Sequence, residues 1–282
     1  MTADVVRSLV STAWLAEHAA DPGVRVLEVD GEAARYYDGH VPGALPVDWL
    51  DDLHAPVRRG FADAPALAAL LGRLGVTPTT HVVLLGDAHN TYAASAFWLL
   101  RYYGHGPLSL VDGGRRAWEV EGRPLSTEVP EPAPADYPEP SPVSSVRASR
   151  DDILQRFVPG LPGTALLDCR TQIEYEGHGA RGVDLPVERH RVPGHMPGAR
   201  NLDSIDVLDE ATHRFRPLPE LRAMFADRGV EPDTEVALYC RLAERSSLLW
   251  FALHEVVGHG RARNYDGGWA EYGSLVDVPV ER

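Results

Sequence analysis

Along the chain, short runs rich in Val and Leu alternate with longer stretches whose apolar residues recur at helical spacing. VRVLEV (24–29) predicts a strand, APALAALLGRLG (64–75) a helix, HVVLL (81–85) a strand, YAASAFWLLRYYG (92–104) a helix and LSLV (108–111) a strand. The second half offers the same order in LLDC (166–169), LPELRAMFADRG (218–229), EVALY (235–239), SSLLWFALHEVVG (246–258) and ARNY (262–265). Near-continuous apolar strands separated by helices predict an α/β fold, a mainly parallel sheet with helices on both faces. In such sheets binding sites form beyond the carboxyl ends of the strands.

The order recurs because the chain is written twice. GVTPTTHVVLLG (75–86) lies over GVEPDTEVALYC (229–240) at an offset of 154, and the same offset carries GHGPLSLVDGG (104–114) onto GHGRARNYDGG (258–268). HVPGAL (40–45) matches HMPGAR (195–200) at 155, and VLEVD (26–30) matches LLDCR (166–170) at 140. The second copy has therefore gained fifteen residues within GHGARGVDLPVERHR (177–191). One long period means domain duplication, not a solenoid. Between the copies, RPLSTEVPEPAPADYPEPSPVSSVRAS (123–149) holds seven prolines and reads as an extended, semi-rigid linker. The expected organisation is a domain over 1–125, a linker over 126–148 and a second domain over 149–282.

Charge narrows the partners. A formal net charge of −14 argues against nucleic acid or an anionic membrane, which need a basic face, but leaves room for a small anion in a local positive pocket. No stretch reaches the roughly 18 apolar residues of a membrane span, and the N-terminal stretch lacks the pattern of a signal peptide. Two cysteines, Cys169 and Cys240, are too few for a disulfide framework or a four-thiolate zinc site; a single bridge between them stays open, and a cytoplasmic location is expected.

The candidate chemistry sits in EVALYCRLAERSS (235–247), where a strand stops at Cys240 and a helix is expected to begin near Ser246. A free thiol titrates near ~8.5, and a helix N-terminus or adjacent arginines lower that value. Arg241 and Arg245 supply two permanent cations, and the backbone N–H groups of 241–246 can curl around the sulfur. On this reading Cys240 is kept ionised and open to solutes. At constant offset the first copy holds Gly86, Asp87 and Thr91 in place of Cys240, Arg241 and Arg245. Nucleophile and cations have vanished together, the pattern of one active and one structural domain.

These residues resemble the rhodaneses, the two-domain sulfurtransferases, over nearly the whole chain. HVPGA and HMPGA are similar to the signature near the start of each domain, NYDGGWAEYGS (264–274) to the C-terminal signature, and LYCRLAERSS to the active-site loop. The resemblance implies tandem rhodanese-like domains of which the second is catalytic. It implies that the Cys240 thiolate takes the outer sulfur of thiosulfate, releases sulfite, and passes the persulfide sulfur to cyanide or a thiol, including a thiol-bearing protein. Neither cofactor nor metal is needed, since loop amides and arginines can hold the anion. The loop Arg241, Leu242, Ala243, Glu244, Arg245 and Ser246 is expected to bind donor and persulfide.

Several positions depart from the family. Ala243 stands where glycine is common, which matters if the backbone there has positive φ. Leu242 replaces a lysine of the vertebrate enzymes, and Glu244 opposes anion binding unless it turns outward or pairs with Arg245. Glu174 stands at the place of a substrate-binding arginine, and Arg189 or Arg191 from the insertion is placed to supply the lost charge, with Arg189 preferred. Asp168 and Arg170 are expected to brace the loop as a buried ion pair, Cys169 to sit in the core on the opposite side of its strand from Asp168 with a redox role as the alternative, and His40 and His195 to fix turns. Mercaptopyruvate as donor, a persulfide-carrier module, and phosphatase or arsenate reductase chemistry are the alternatives. The last wants one residue more between cysteine and arginine than the four present here.

Overall fold

The computed structural model describes residues 7–31, 34–56, 60–178 and 192–282; Arg189 and Arg191 lie outside the described residues. The chain parts into two compact units, the first reaching Val143 and including Asp209–Phe215, the second formed by Ser144–Leu208 and Arg216–Arg282. The division at 143/144 lies within the proline-rich stretch. Its part up to Val143 belongs to the first unit, where Ala135 N–H donates to Gly72 O (2.9 Å) and Tyr137 OH lies 2.9 Å from His105 Nδ1. That segment 209–215 belongs with the first unit is invisible in the repeat pattern.

In the first unit the strands are β1 (Leu9–Val10), β2 (Val24–Asp30), β3 (Leu45–Asp48), β4 (His81–Leu85) and β5 (Leu108–Val111), ordered β1-β5-β4-β2-β3. In the second they are β6 (Thr164–Asp168), β7 (Arg200–Asn201), β8 (Glu235–Tyr239) and β9 (Ala262–Asn264), ordered β7-β6-β8-β9. Every strand pair in both sheets is parallel. The helices are α1 (Thr12–His18), α2 (Ala34–Asp38), α3 (Ala64–Arg73), α4 (Thr91–Tyr102) and α5 (Gly114–Val120), then α6 (Arg150–Asp152), α7 (Gln172–Tyr175), α8 (Leu218–Ala226), α9 (Glu244–Phe251) and α10 (Gly268–Tyr272). Their ends follow from local chemistry. Ser11 and Asp63 accept the N–H groups of Trp14 and Ala66, and Thr171 with Glu174 forms a capping box that starts α7. No helix among the described residues is long and apolar enough to cross a membrane.

The two units solve one packing problem in the same way with different residues. Glu28 and Asp168 occupy matching places on β2 and β6, and each is buried against a guanidinium. Arg115 Nη1 donates to Glu28 Oε1 (2.6 Å) and its Nη2 to Gly39 O (2.5 Å). Arg170 Nη2 donates to Asp168 Oδ2 (2.6 Å) and to Gly194 O (2.7 Å). Gly39 and Gly194 are equivalent, whereas the two arginines come from different elements. His40 and His195 stack on Tyr36 and Tyr175, with Nδ1 at 3.0 and 2.8 Å from the tyrosine carbonyls. The tyrosine hydroxyls in turn donate to Ala44 O and Ala199 O. Both histidines thus hold the HVPG and HMPG turns.

Candidate active site

β6 and β8 pair from Thr164↔Glu235 to Asp168↔Tyr239, and their carboxyl ends open at Cys169 and Cys240. The loop after Cys240 is short, because α9 begins at Glu244, two residues earlier than the sequence pattern suggests. Arg241 is buried and Leu242 partly so. The loop is held from behind by the DGGW segment: Trp269 N–H donates to Cys240 O (2.8 Å). Gly268 has φ +55°, and a Cβ there would stand 2.5 Å from Arg241 O, so the backbones can meet only at a glycine.

Cys240 Sγ accepts the N–H of Ala243 at 3.1 Å, with Ser246 Oγ at 3.6 Å. Ser246 Oγ also donates to Asn264 Oδ1 (2.7 Å), Asn264 Nδ2 to Ser247 Oγ (2.9 Å), and Ser247 Oγ to Ala243 O (2.7 Å). This network fixes the turn on which the Ala243 amide is aimed. Ala243 adopts φ +83°, the left-handed conformation for which glycine is suited, so the departure noted in the sequence is a strained one that keeps its N–H on the sulfur. Left-handed alanine costs about 1–2 kcal/mol, partly offset by the entropy glycine loses on folding. Ala243→Gly is therefore expected to stabilise the protein by about 0.5–1 kcal/mol in denaturant titration. A loss of stability would show that alanine sits there without strain.

The electrostatics correct the sequence reading. Cys240 is fully buried, not open to solutes as the sequence reading had it, and its thiol is pushed up to about 11 instead of down. Burial is the largest cause and Glu244 the next, against the lowering effects of Arg245 and of the Ser246 amide and hydroxyl. Glu244 turns inward, not outward: Cys240 Sγ–H donates to Glu244 Oε2 at 3.4 Å, while Glu244 Oε1 accepts from Arg245 Nε at 3.3 Å. Arg245 is engaged a second time, its Nη1 and Nη2 donating to Glu174 Oε2 (2.7 Å) and Oε1 (3.1 Å) in a bidentate fork. Burial raises the Glu174 carboxyl, and the hydrogen bonds and charge of Arg245, with Thr171, more than reverse this and hold it below its ordinary value. In the resting site the cation expected to draw an anion is thus paired with two carboxylates.

Asp168 and Arg170 lie on the other face of β6. Arg170 forks onto Asp168 and stacks over Trp269, its carbon 4.8 Å from the ring centre. They brace the strand end and do not reach the sulfur. Cys169 is fully buried, its Sγ 3.9 Å from Leu167 O. Ser247 and Asn264 belong to the network around the loop and were not assigned from the sequence, and Glu174, read there only as the replacement of an arginine, turns out to pair with Arg245. The Thr171–Glu174 cap was visible as a motif, but nothing local joins Glu174 to Arg245, 71 residues away. A surface hollow of about 350 Å³ lies beside Thr171, Asn201, Asp203 and Arg228, and Cys240 is not among its lining residues.

In the first unit Gly86 stands at the end of β4 where Cys240 ends β8. A Cβ there would run into Val29 O and stand 3.2 Å from Asp30 Oδ1, so no side chain fits.

Comparison with known proteins agrees with this architecture. The rhodanese-like domain family matches residues 11–121 and again 152–275, and the chain belongs to it as a tandem of two rhodanese-like domains. Among its relatives is the "Sulfur carrier protein TtuD" of Thermus thermophilus, 44% identical over 97% of this chain and 96% of that protein. Another is a "Putative thiosulfate sulfurtransferase" of Mycolicibacterium smegmatis, 39% identical over 97% of both. The fold matches that of SseA from Escherichia coli, described as a 3-mercaptopyruvate sulfotransferase, with a TM-score of 0.78 at 22% identity over 93% of this chain and 99% of that one.

Proposed function

We propose that the protein is a thiosulfate sulfurtransferase that carries sulfane sulfur on Cys240. The observation that carries this reading is the Ala243 N–H aimed at Cys240 Sγ from the head of α9, a donor placed where a persulfide anion would be held. Glu244 accepts the thiol proton through the contact already present at 3.4 Å. The thiolate attacks the outer sulfur of thiosulfate, the S–S bond of the donor breaks, and sulfite departs with the bonding pair. A thiol or cyanide then attacks the outer sulfur of the persulfide and restores Cys240. The Arg245 guanidinium faces the incoming dianion and exchanges part of its pairing with Glu174 for it. The first unit serves as structural support, and a reducing compartment such as the cytoplasm suits two free buried thiols.

A second reading, a sulfur carrier loaded by another protein's persulfide, is favoured by the Glu174–Arg245 fork, because a neutralised cation discriminates against small dianions. The names of the relatives support both. Thiosulfate with cyanide, and a persulfide-bearing protein with a thiol acceptor, assayed side by side on one preparation, separate the two.

The raised thiol gives a direct test of the site. Below a value of about 11 the thiolate fraction grows tenfold per pH unit, so alkylation of Cys240 by iodoacetamide is expected to rise about 100-fold from pH 7 to pH 9. Glu244→Gln removes the neighbouring charge that helps to raise the thiol, and is expected to speed alkylation at pH 7 while slowing sulfur transfer, which loses its proton acceptor. A flat profile over that range would mean that the thiol is already ionised.

A further inference from the structure

The proposed reaction leaves Cys169 unused, yet the sheet places it beside the reacting thiol. Asp168↔Tyr239 is the last registered pair of β6 and β8, and the Cys169 N–H still donates to Tyr239 O at 2.8 Å. Cys169 and Cys240 are therefore the next residues on two hydrogen-bonded neighbouring strands. Such strands lie about 4.8 Å apart, inside the roughly 4.4–6.8 Å Cα separation that a disulfide spans. Side chains alternate along a strand. Asp168 and Tyr239 share the face on which Arg170 lies over Tyr239 and Trp269, so the two cysteines share the other. The electrostatics agree with this placement: Cys169 feels both the Cys240 thiolate and the Arg245 guanidinium, and Cys240 feels the same guanidinium.

We propose that Cys169 resolves the Cys240 persulfide, releasing hydrosulfide and closing a Cys169–Cys240 disulfide. The Cys169 sulfur attacks Cys240 Sγ, and the bond between Cys240 Sγ and the outer sulfur breaks. The outer sulfur leaves with the bonding pair and takes up the Cys169 proton as HS⁻. The outer sulfur is reduced to sulfide as the two cysteine sulfurs are joined, so no external oxidant is required. An external dithiol then reopens the disulfide by thiol–disulfide exchange. The chain thereby gains a second outcome for a bound sulfur: transfer when an acceptor is present, release as sulfide when it is absent.

This inference rests on the Cys240 persulfide, and its test separates the two. The full-length reduced protein is treated without air with one equivalent of thiosulfate, or of inorganic polysulfide if thiosulfate does not load it. It is then freed of reagent, denatured in iodoacetamide and examined by intact mass and peptide mapping, with sulfide measured in the thiosulfate samples. The wild-type protein is expected to yield a Cys169–Cys240 linked peptide, no alkylation at either cysteine, and one equivalent of sulfide. Cys169→Ser is expected to retain one added sulfur on Cys240 and release at least tenfold less sulfide. A wild-type protein that keeps its persulfide with Cys169 alkylated overturns the inference and leaves the persulfide standing, as does equal sulfide release from the variant. If neither protein gains sulfur at Cys240, nor forms the linked peptide, the persulfide reading falls and the inference with it. Should Cys169→Ser fail to fold, Cys169→Ala replaces it, and the linked peptide in the wild-type protein remains decisive alone.

Discussion

Cys240→Ser is expected to reduce sulfur transfer to background, a loss on the order of 10³-fold or more, because no other residue of the site can hold the transferred sulfur covalently. The hydroxyl is nearly isosteric with the thiol and can accept the Ala243 N–H, so the turn of 240–243 and the start of α9 are preserved. Circular dichroism and thermal unfolding should therefore stay close to wild type while mass spectrometry records no added sulfur at position 240. Transfer at the wild-type rate in this variant would sink the proposed nucleophile. The other cysteine offers no substitute: burial raises both thiols, but Cys240 is also drawn down by the Ser246 amide and hydroxyl, whereas Arg245 alone acts in that direction on Cys169.

The largest expected effect on stability is at Arg170. Its side chain is buried with Asp168, donates to Gly194 O and lies over Trp269 and Tyr239. Arg170→Met leaves Asp168 as an uncompensated charge with no water around it, and breaking such a pair costs about 3–5 kcal/mol. For a unit of this size that lowers the melting temperature of the second unit by roughly 10–20 °C. Asp168→Leu combined with Arg170→Met removes both charges and should recover part of the loss, because an apolar pair no longer has to be desolvated as ions. A single variant that melts with wild type, or a double variant worse than the single one, would contradict this account. Activity should follow stability here, since the pair braces the end of β6 from the face away from Cys240.

The duplication, the order of strands and helices and the place of Cys240 at a strand end were all legible in the residues themselves. Each rests on a local signal: periodicity marks the elements, repeated words mark the copies, and β-branched and aromatic runs ending at a polar turn mark the carboxyl edge of a parallel sheet. The absence of Cys240 and its cations from the first copy was equally plain. That the glycine standing in its place is pressed against the backbone of β2 was not.

What the tertiary structure alone decided is the state of the thiol. Nearby arginines and a helix N-terminus favour a thiolate in isolation, and along the chain Arg241 and Arg245 are all that can be read. In the fold the sulfur is buried, Glu244 turns toward it, and Glu174, brought from α7, claims Arg245 with a two-point fork. Desolvation and carboxylates then outweigh the cation. Likewise Ala243 reveals its positive φ, and Cys169 its place next to Cys240, only when strands 71 residues apart are laid side by side. Sequence determines which groups exist and on which element they ride. Whether a charge is free, paired or stripped of water depends on what distant elements pack against it, and that is a property of the folded chain.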